Sequence, residues 1–351
     1  MRITNVYFEH YNAPNTLGVE GTRPRISRTT KDFPTNFKQS AYEIEVSEVI
    51  KTSELTILSS IKQPSAFLNL VPWPSSCLSL RSRQKVAVRI RVWNQFEGAS
   101  PWSDYSHLEV GLLNRSDWHC ARIAAPWSLD TPGPDVEQLY RKEFYLPLYN
   151  AISKVQLYIT AQGVYEAEIN GARVGDHFMA PGWTAYDGRL QYQTYDVDRM
   201  LVSGENCIGV RVAEGWFCGR IGFEGDHRNI WGKQTALLAQ MELTLDTGEV
   251  RMVLSDGSWK VAKGPIRLAE IYDGEKYDAR KEHHGWLSAG IEGSQWESVV
   301  VLPELPDSVK LTAGFREPVR RIEARKAVSQ IMICLARLSL TSARTWWGTY
   351  T

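Results

Sequence analysis

The sequence predicts an all-β protein of two successive sandwiches, a fibronectin-III or immunoglobulin-like unit followed by a jelly-roll unit. Three observations predict it. Short runs alternate apolar and polar residues, the pattern of strands that bury one face. Asn170-Gly171 and Asp246-Thr247-Gly248 lie between such runs, where tight hairpins need residues that tolerate positive φ. No apolar stripe of helical period and useful length competes with these strands.

The first unit is assigned to residues 1–111. AYEIEV (Ala41 to Val46) places Tyr42, Ile44 and Val46 on one face. KVAVRIRVW (Lys85 to Trp93) sets Val86, Val88, Ile90 and Val92 against Lys85, Arg89 and Arg91. Lys51 to Arg83 is Ser- and Pro-rich and poorly patterned, so a loop or an irregular edge is expected there. EGASPWSDYSHLEV closes the unit with a turn and a last strand. About seven short strands in about 100 residues is the size of an immunoglobulin-like sandwich.

Residues 112–139 read as a linker that breaks at Pro132-Gly133-Pro134, with Trp118 and Trp127 expected to pin it to a neighbouring domain. Residues 140–300 form the second unit. Val155, Leu157 and Ile159 share one face, and Tyr165, Ala167 and Ile169 share the next. Tyr192 and Tyr195 follow, then Ile208, Val210 and Val212. Met241, Leu243 and Leu245 run into the second hairpin, with Val250, Met252 and Leu254 on its far side, then Trp259 and Val261. Antiparallel strands in this number are expected to form a jelly roll. The tail, 328–351, has no clear period; Ile331 to Leu340 reads as a buried helix or strand, or as the ill-fitting end of a truncated gene.

Lys plus Arg and Asp plus Glu number 40 each, so the chain has no global electrostatic reason to bind nucleic acid or an anionic membrane. Five widely spaced cysteines without a CxxC argue against a disulfide framework and against zinc. MRITNVYFEHYNAPN lacks the apolar core of a signal peptide, and no run of about 18 apolar residues occurs. A cytoplasmic protein is expected, with secretion open if residues precede Met1.

Glycoside hydrolysis needs two carboxylates flanking the scissile bond. Glu214, Asp187, Asp273 and Glu275 each lie beside a glycine and an aromatic, yet each also reads as a turn carboxylate capping backbone N–H groups. His283-His284 has no metal-binding spacing, and adjacent histidines on a strand point to opposite faces. No G-x-S-x-G elbow occurs, and the glycines from Gly215 to Gly225 do not follow a strand into a helix as a phosphate loop would. No catalytic residue, metal ligand or cofactor is therefore assigned.

A binding surface is better supported. The chain has 13 Trp and 15 Tyr, and flat aromatic rings accept the C–H faces of sugars. Trp183, Tyr186, Trp216 and Phe217 cluster in sequence around Gly182, Gly188, Gly215 and Gly219. Asn170, Asp187, Arg189 and Arg220 are the candidate hydroxyl partners. The same cluster also reads as packing at one end of a sandwich.

These strings resemble a known family. LYITAQGVYEAEINGARVGD, APGWTAYDGRLQYQTYDV, GENCIGVRVAEGWFCGR and IYDGEKYDARKE, in that order, resemble the N-terminal accessory domain of the α-L-rhamnosidases of glycoside hydrolase family 78. RIRVWNQFEGASPWSDYSHLEVGLLNRSDWHCARIA is similar to the junction after that family's fibronectin-like module. LTAGFREPVRRIEARKA resembles the start of a further β-domain, assigned to 301–327. The resemblance implies inverting hydrolysis by carboxylates of a later (α/α)6 barrel, of which this sequence holds no matching segment. It implies a rhamnose-containing carbohydrate as partner. In some members a jelly roll binds rhamnose with calcium, but no calcium ligand can be matched here. The expected role is an N-terminal, truncated, non-catalytic portion that is accessory or carbohydrate-binding. A structural scaffold for the barrel and a stand-alone rhamnose-binding module are the alternatives.

Overall fold

The computed structural model describes residues 2–341 apart from 12–14, 33, 52–53, 97, 128–134, 147–151, 225–226, 291–294, 325, 327–328 and 335–336. Among the described residues there is no α-helix, only short 3-10 turns between strands.

The first sandwich packs a two-stranded sheet on a five-stranded one. Strands β1 (Arg2–Phe8) and β3 (Ile26–Lys31) form the small sheet. The larger sheet contains β2 (Asn15–Val19), β4 (Gln39–Lys51), β5 (Glu54–Pro64), β6 (Lys85–Asn94) and β7 (Ser106–Val110), in the order β2-β7-β6-β4-β5. Tyr42, Ile44 and Val46 meet Val86, Val88, Ile90 and Val92 in one core with Phe8, Ile26 and Trp73. The outward face carries charge. Glu43 lies opposite Arg91 and Glu45 opposite Arg89 across the β4–β6 ladder, at 2.6 and 2.8 Å. Arg91 also lies over the rings of Trp93 and Trp102, and Arg89 over Trp102 and Tyr105. Alternation in β6 is thus apolar inside and cation–π outside.

Part of the Lys51 to Arg83 stretch is an ordered edge strand. β5 pairs with β4 over most of its length, with register shifts at Val46/Ser47 and Val49/Lys51. Its side chains are exposed on both faces except near Ser59 and Ile61, so backbone hydrogen bonds rather than burial hold it.

The second sandwich has two larger sheets. Its strands are β8 (Ile123–Ala124), β9 (Gln138–Leu146), β10 (Ile152–Gln162), β11 (Val164–Ile169), β12 (Ala172–Arg173), β13 (His177–Phe178), β14 (Arg189–Asp196), β15 (Gly204–Ala213), β16 (Ala236–Leu245), β17 (Val250–Leu254), β18 (Lys260–Lys263), β19 (Ile266–Glu270), β20 (Gly274–Tyr277), β21 (Glu297–Ser298), β22 (Val300–Val301) and β23 (Lys310–Ala313). One sheet runs β22-β8-β16-β10-β14-β23 with β17 beside β16, and the other β12-β11-β15-β9-β18-β21. Leu157, Ile159, Tyr165, Val210, Met241 and Trp259 fill the space between them. Asn170 and Gly171 both take positive φ, 52° and 80°, and turn β11 into β12. Gly248, at φ 86°, makes the β16–β17 turn. Beyond β23, β24 (Val319–Arg320) pairs with β13, and the tail forms a hairpin of β25 (Ser329–Cys334) and β26 (Arg337–Thr341). Residues 342–351 of the tail lie outside the described residues.

The outer face of β10 and β14 docks on the first sandwich. Tyr158 and Tyr192 meet Leu112 there, with Trp118 edge-on to both tyrosines at 6.4 and 5.0 Å. Gly111 permits the approach, since a Cβ there would stand 2.2 Å from the Tyr192 hydroxyl. The segment after Leu112 continues along the second sandwich, where Ala121 N–H donates to the Ser255 carbonyl at 2.7 Å.

Candidate functional site

A cleft of about 550 Å³ opens where the two sandwiches meet. Tyr11 and Thr16 to Gly18 wall it from the first sandwich. The second supplies the loop from His177 to Trp183, β14 from Gln191 to Thr194, Trp216, and residues 316–320. Its size lies within the ~300–1,000 Å³ range of small-molecule sites.

Aromatic rings form one wall. Trp183 and Trp216 stack with centroids 6.3 Å apart and planes 18° from parallel, and Trp231 stands edge-on to Trp183 at 6.0 Å. Trp183 is 42% exposed. Tyr186 lies beneath, buried against Phe217 and Trp231 at 5.2 and 5.3 Å. Gly232 is needed for that packing, because a Cβ would come within 2.2 Å of the Phe217 ring.

The structure therefore brings Trp183, Tyr186 and Trp216 together, with Tyr186 as support rather than surface. The polar candidates divide. Asp187 is exposed in the turn after Tyr186. Arg189 donates from Nε to Thr184 Oγ1 at 2.7 Å and lies over the Phe315 ring. Arg220 is tied to Asp273 and donates to the Phe223 carbonyl at 2.7 Å. Asn170 lies at the other end of β11, where its amide donates to Met200 O and Asn206 Oδ1 and accepts from Cys207 N–H. Its side chain holds a turn. Sequence reading missed Trp231, although Trp231-Gly232 repeats the aromatic–glycine pairing that marked the others.

The carboxylates do not form a hydrolytic pair in the cleft. Among the described residues lining it, Glu317 is the only one. Glu214 and Glu270 instead share Arg228: both Glu214 oxygens accept from its Nη2 at 3.0 and 3.2 Å, and Nη1 pairs with Glu270. Burial pushes the Glu214 carboxyl up to about 8, with its hydrogen bond to Glu270 adding to the shift and Arg228 opposing it. Among the described residues no group of three or more His, Cys, Asp or Glu is arranged to hold a metal. Cys77, Cys120, Cys207 and Cys218 are free thiols, and no helix among the described residues is long and apolar enough to cross a membrane.

Comparison with known proteins gives this architecture a family. The "Alpha-L-rhamnosidase N-terminal domain" matches residues 150–323, and the "Rha78A-like, N-terminal immunoglobulin domain" matches 3–114. The chain belongs to the α-L-rhamnosidases, whose N-terminal domains it carries. An α-L-rhamnosidase of Formosa agariphila is 35% identical over 326 residues, 90% of this chain and 34% of that protein. The crystal structure of native α-L-rhamnosidase from Aspergillus terreus superposes with a TM-score of 0.83 at 37% identity, over 96% of this chain and 38% of that one. The Streptomyces avermitilis α-L-rhamnosidase structure, a complex with L-rhamnose, shares the fold at a TM-score of 0.79 and 23% identity, over 97% of this chain and 48% of that one. The chain thus spans about a third of the length of the Formosa relative.

Proposed function

We propose that this chain is the accessory, non-catalytic region of an α-L-rhamnosidase and that its cleft recognises a rhamnose-containing carbohydrate. The observation that carries this reading is the Trp183–Trp216 stack, held near-parallel with Trp183 open to solvent at the mouth of a cleft between two domains. Flat rings of this kind take the apolar face of a pyranose. The relatives are named α-L-rhamnosidases, which supports rhamnose as the sugar. Hydrolysis in the whole protein falls, on this reading, to a region other than the one present here. Among the described residues the cleft offers a single carboxylate, where hydrolysis needs two.

Calorimetry with L-rhamnose tests the binding, with Trp183→Ala and Trp216→Ala beside the parent. The parent binds and both variants lose most of the heat. No heat from the parent ends the binding reading and favours a scaffold role, for which Phe223 and Ile322, 81% and 99% exposed, supply apolar contact surface. Clear turnover of an aryl α-L-rhamnoside by the purified chain ends the non-catalytic reading.

A further inference from the structure

Two buried hydrogen-bonding groups that line the cleft lack partners among the described residues. Gln191 is 3% exposed, yet its Nε2 has no acceptor among the described residues. Thr194 Oγ1, also withdrawn from solvent, has no partner among them either. Both residues line the cleft that Trp183 and Trp216 wall. Buried polar groups are nearly always satisfied, and the exceptions call for a functional account.

The fold does not ask for these groups. The Gln191 backbone is settled, since its carbonyl accepts from Thr160 Oγ1 and its residue pairs with Thr312 across the β14–β23 ladder. Gln193, two residues on and on the same face of the strand, shows what a structural glutamine does here. Its Oε1 accepts from the Tyr165 hydroxyl at 2.7 Å and its Nε2 donates to Pro181 O at 3.3 Å. Of two same-face glutamines one is fully used and the other is not. β23 pairs with β14 only as far as Tyr192–Ala313, so beyond it the edge of β14 away from β10 carries no strand. Gly18 of the first sandwich closes against Thr194, where a Cβ would stand 2.5 Å from Oγ1. The first domain thus finishes the wall of the pocket.

We propose that Gln191 Nε2 reads a hydroxyl of a neutral pyranose whose apolar face rests on the Trp183–Trp216 stack, while Thr194, on the opposite face of β14, meets the first sandwich. This deepens the proposed carbohydrate recognition and rests on it. Uncharged groups form the floor, and the charged side chains Arg316, Glu317 and Arg320 belong to the 316–320 segment. The site is composite, so the first sandwich contributes to recognition as well as to stability.

The test is calorimetric titration of the whole chain with methyl α-L-rhamnoside, comparing parent, Gln191→Leu, Thr194→Val and Trp183→Ala. Losing the sugar hydrogen bond weakens binding by about tenfold in Gln191→Leu, whereas Thr194→Val binds as the parent does. Their melting temperatures hold or rise, because an unpaired buried group has been removed; a merely structural glutamine would lower them. Parent-like affinity in Gln191→Leu, with loss only in Trp183→Ala, overturns this proposal and leaves the carbohydrate reading standing. No binding by the parent overturns both. If a polar variant does not fold, the side-chain amide resonances of Gln191 in the labelled parent decide: they shift on titration, and unmoved resonances under saturating sugar overturn the assignment.

Discussion

Arg83 of the first sandwich forks onto Glu242 of the second, with Nε 2.7 Å from Oε2 and Nη2 2.6 Å from Oε1. Its Nη1 reaches Asp117 at 3.2 Å, so one guanidinium ties both domains and the segment between them. Glu242 is 5% exposed and sits in the middle of β16, where its charge has little water to turn to. Removing the cation leaves that buried carboxylate without its counter-charge, though the Gln240 amide still donates to Oε1 at 2.7 Å. Arg83→Met is expected to destabilise the chain by about 2–4 kcal/mol, and Glu242→Gln by less because the amide stays hydrogen-bonded. Urea unfolding measures both; an unchanged midpoint for Arg83→Met would show that the fork contributes nothing net.

Tyr192 makes the second tie. Its hydroxyl accepts from Leu112 N–H at 2.6 Å and donates to Leu112 O at 3.0 Å, all of it buried. Tyr192→Phe keeps the ring and its contact with Trp118 while leaving both backbone groups of Leu112 without that partner. The expected cost is about 1–3 kcal/mol, read as a lower thermal midpoint. A variant as stable as the parent would mean that Leu112 finds other partners when the hydroxyl goes.

How much of this was legible in the sequence follows from periodicity. Tyr42, Ile44 and Val46, and Val86 through Val92, were readable because one face is buried and the other is not. β5 was not, because both of its faces are exposed and backbone pairing leaves no mark on side-chain alternation. At the site, Trp183, Tyr186 and Trp216 were readable as aromatics beside glycines. Gln191 was not, since its significance lies in a hydrogen bond that is not made, and only packing reveals that. Asn170 misled: an Asn before Gly looks equally like a turn and a sugar ligand, and its three amide bonds within the fold identify the turn.

That assignment of Asn170 separates fold from recognition. Asn170→Ala forfeits the bonds to Met200 O, Asn206 Oδ1 and Cys207 N–H and places alanine at φ 52°. A loss of about 2 kcal/mol is expected from unfolding curves, with rhamnose affinity of the folded protein unchanged. Weakened sugar binding in folded Asn170→Ala would return this residue to the site.

Glu214 supplies a pH dependence with a definite sign. Two carboxylates face one guanidinium, so the trio with Arg228 and Glu270 is electrically balanced when Glu214 keeps its proton. Burial raises the folded pKa to about 8, above the usual 4.5 of a free glutamate. The folded state therefore holds a proton that the unfolded chain has released across that window. Stability from this group is complete below the unfolded value and is lost as pH rises through the folded one. Between pH 6 and pH 9 the parent is expected to lose about 1–2 kcal/mol from this group, discounted for its coupling to Glu270. Glu214→Gln keeps a donor for Glu270 and an acceptor for Arg228 but has no proton to lose, so its profile runs flatter. Thermal midpoints of both proteins across that range decide the matter: parallel profiles would mean that Glu214 is ionised throughout and that Arg228 outweighs the cost of burial.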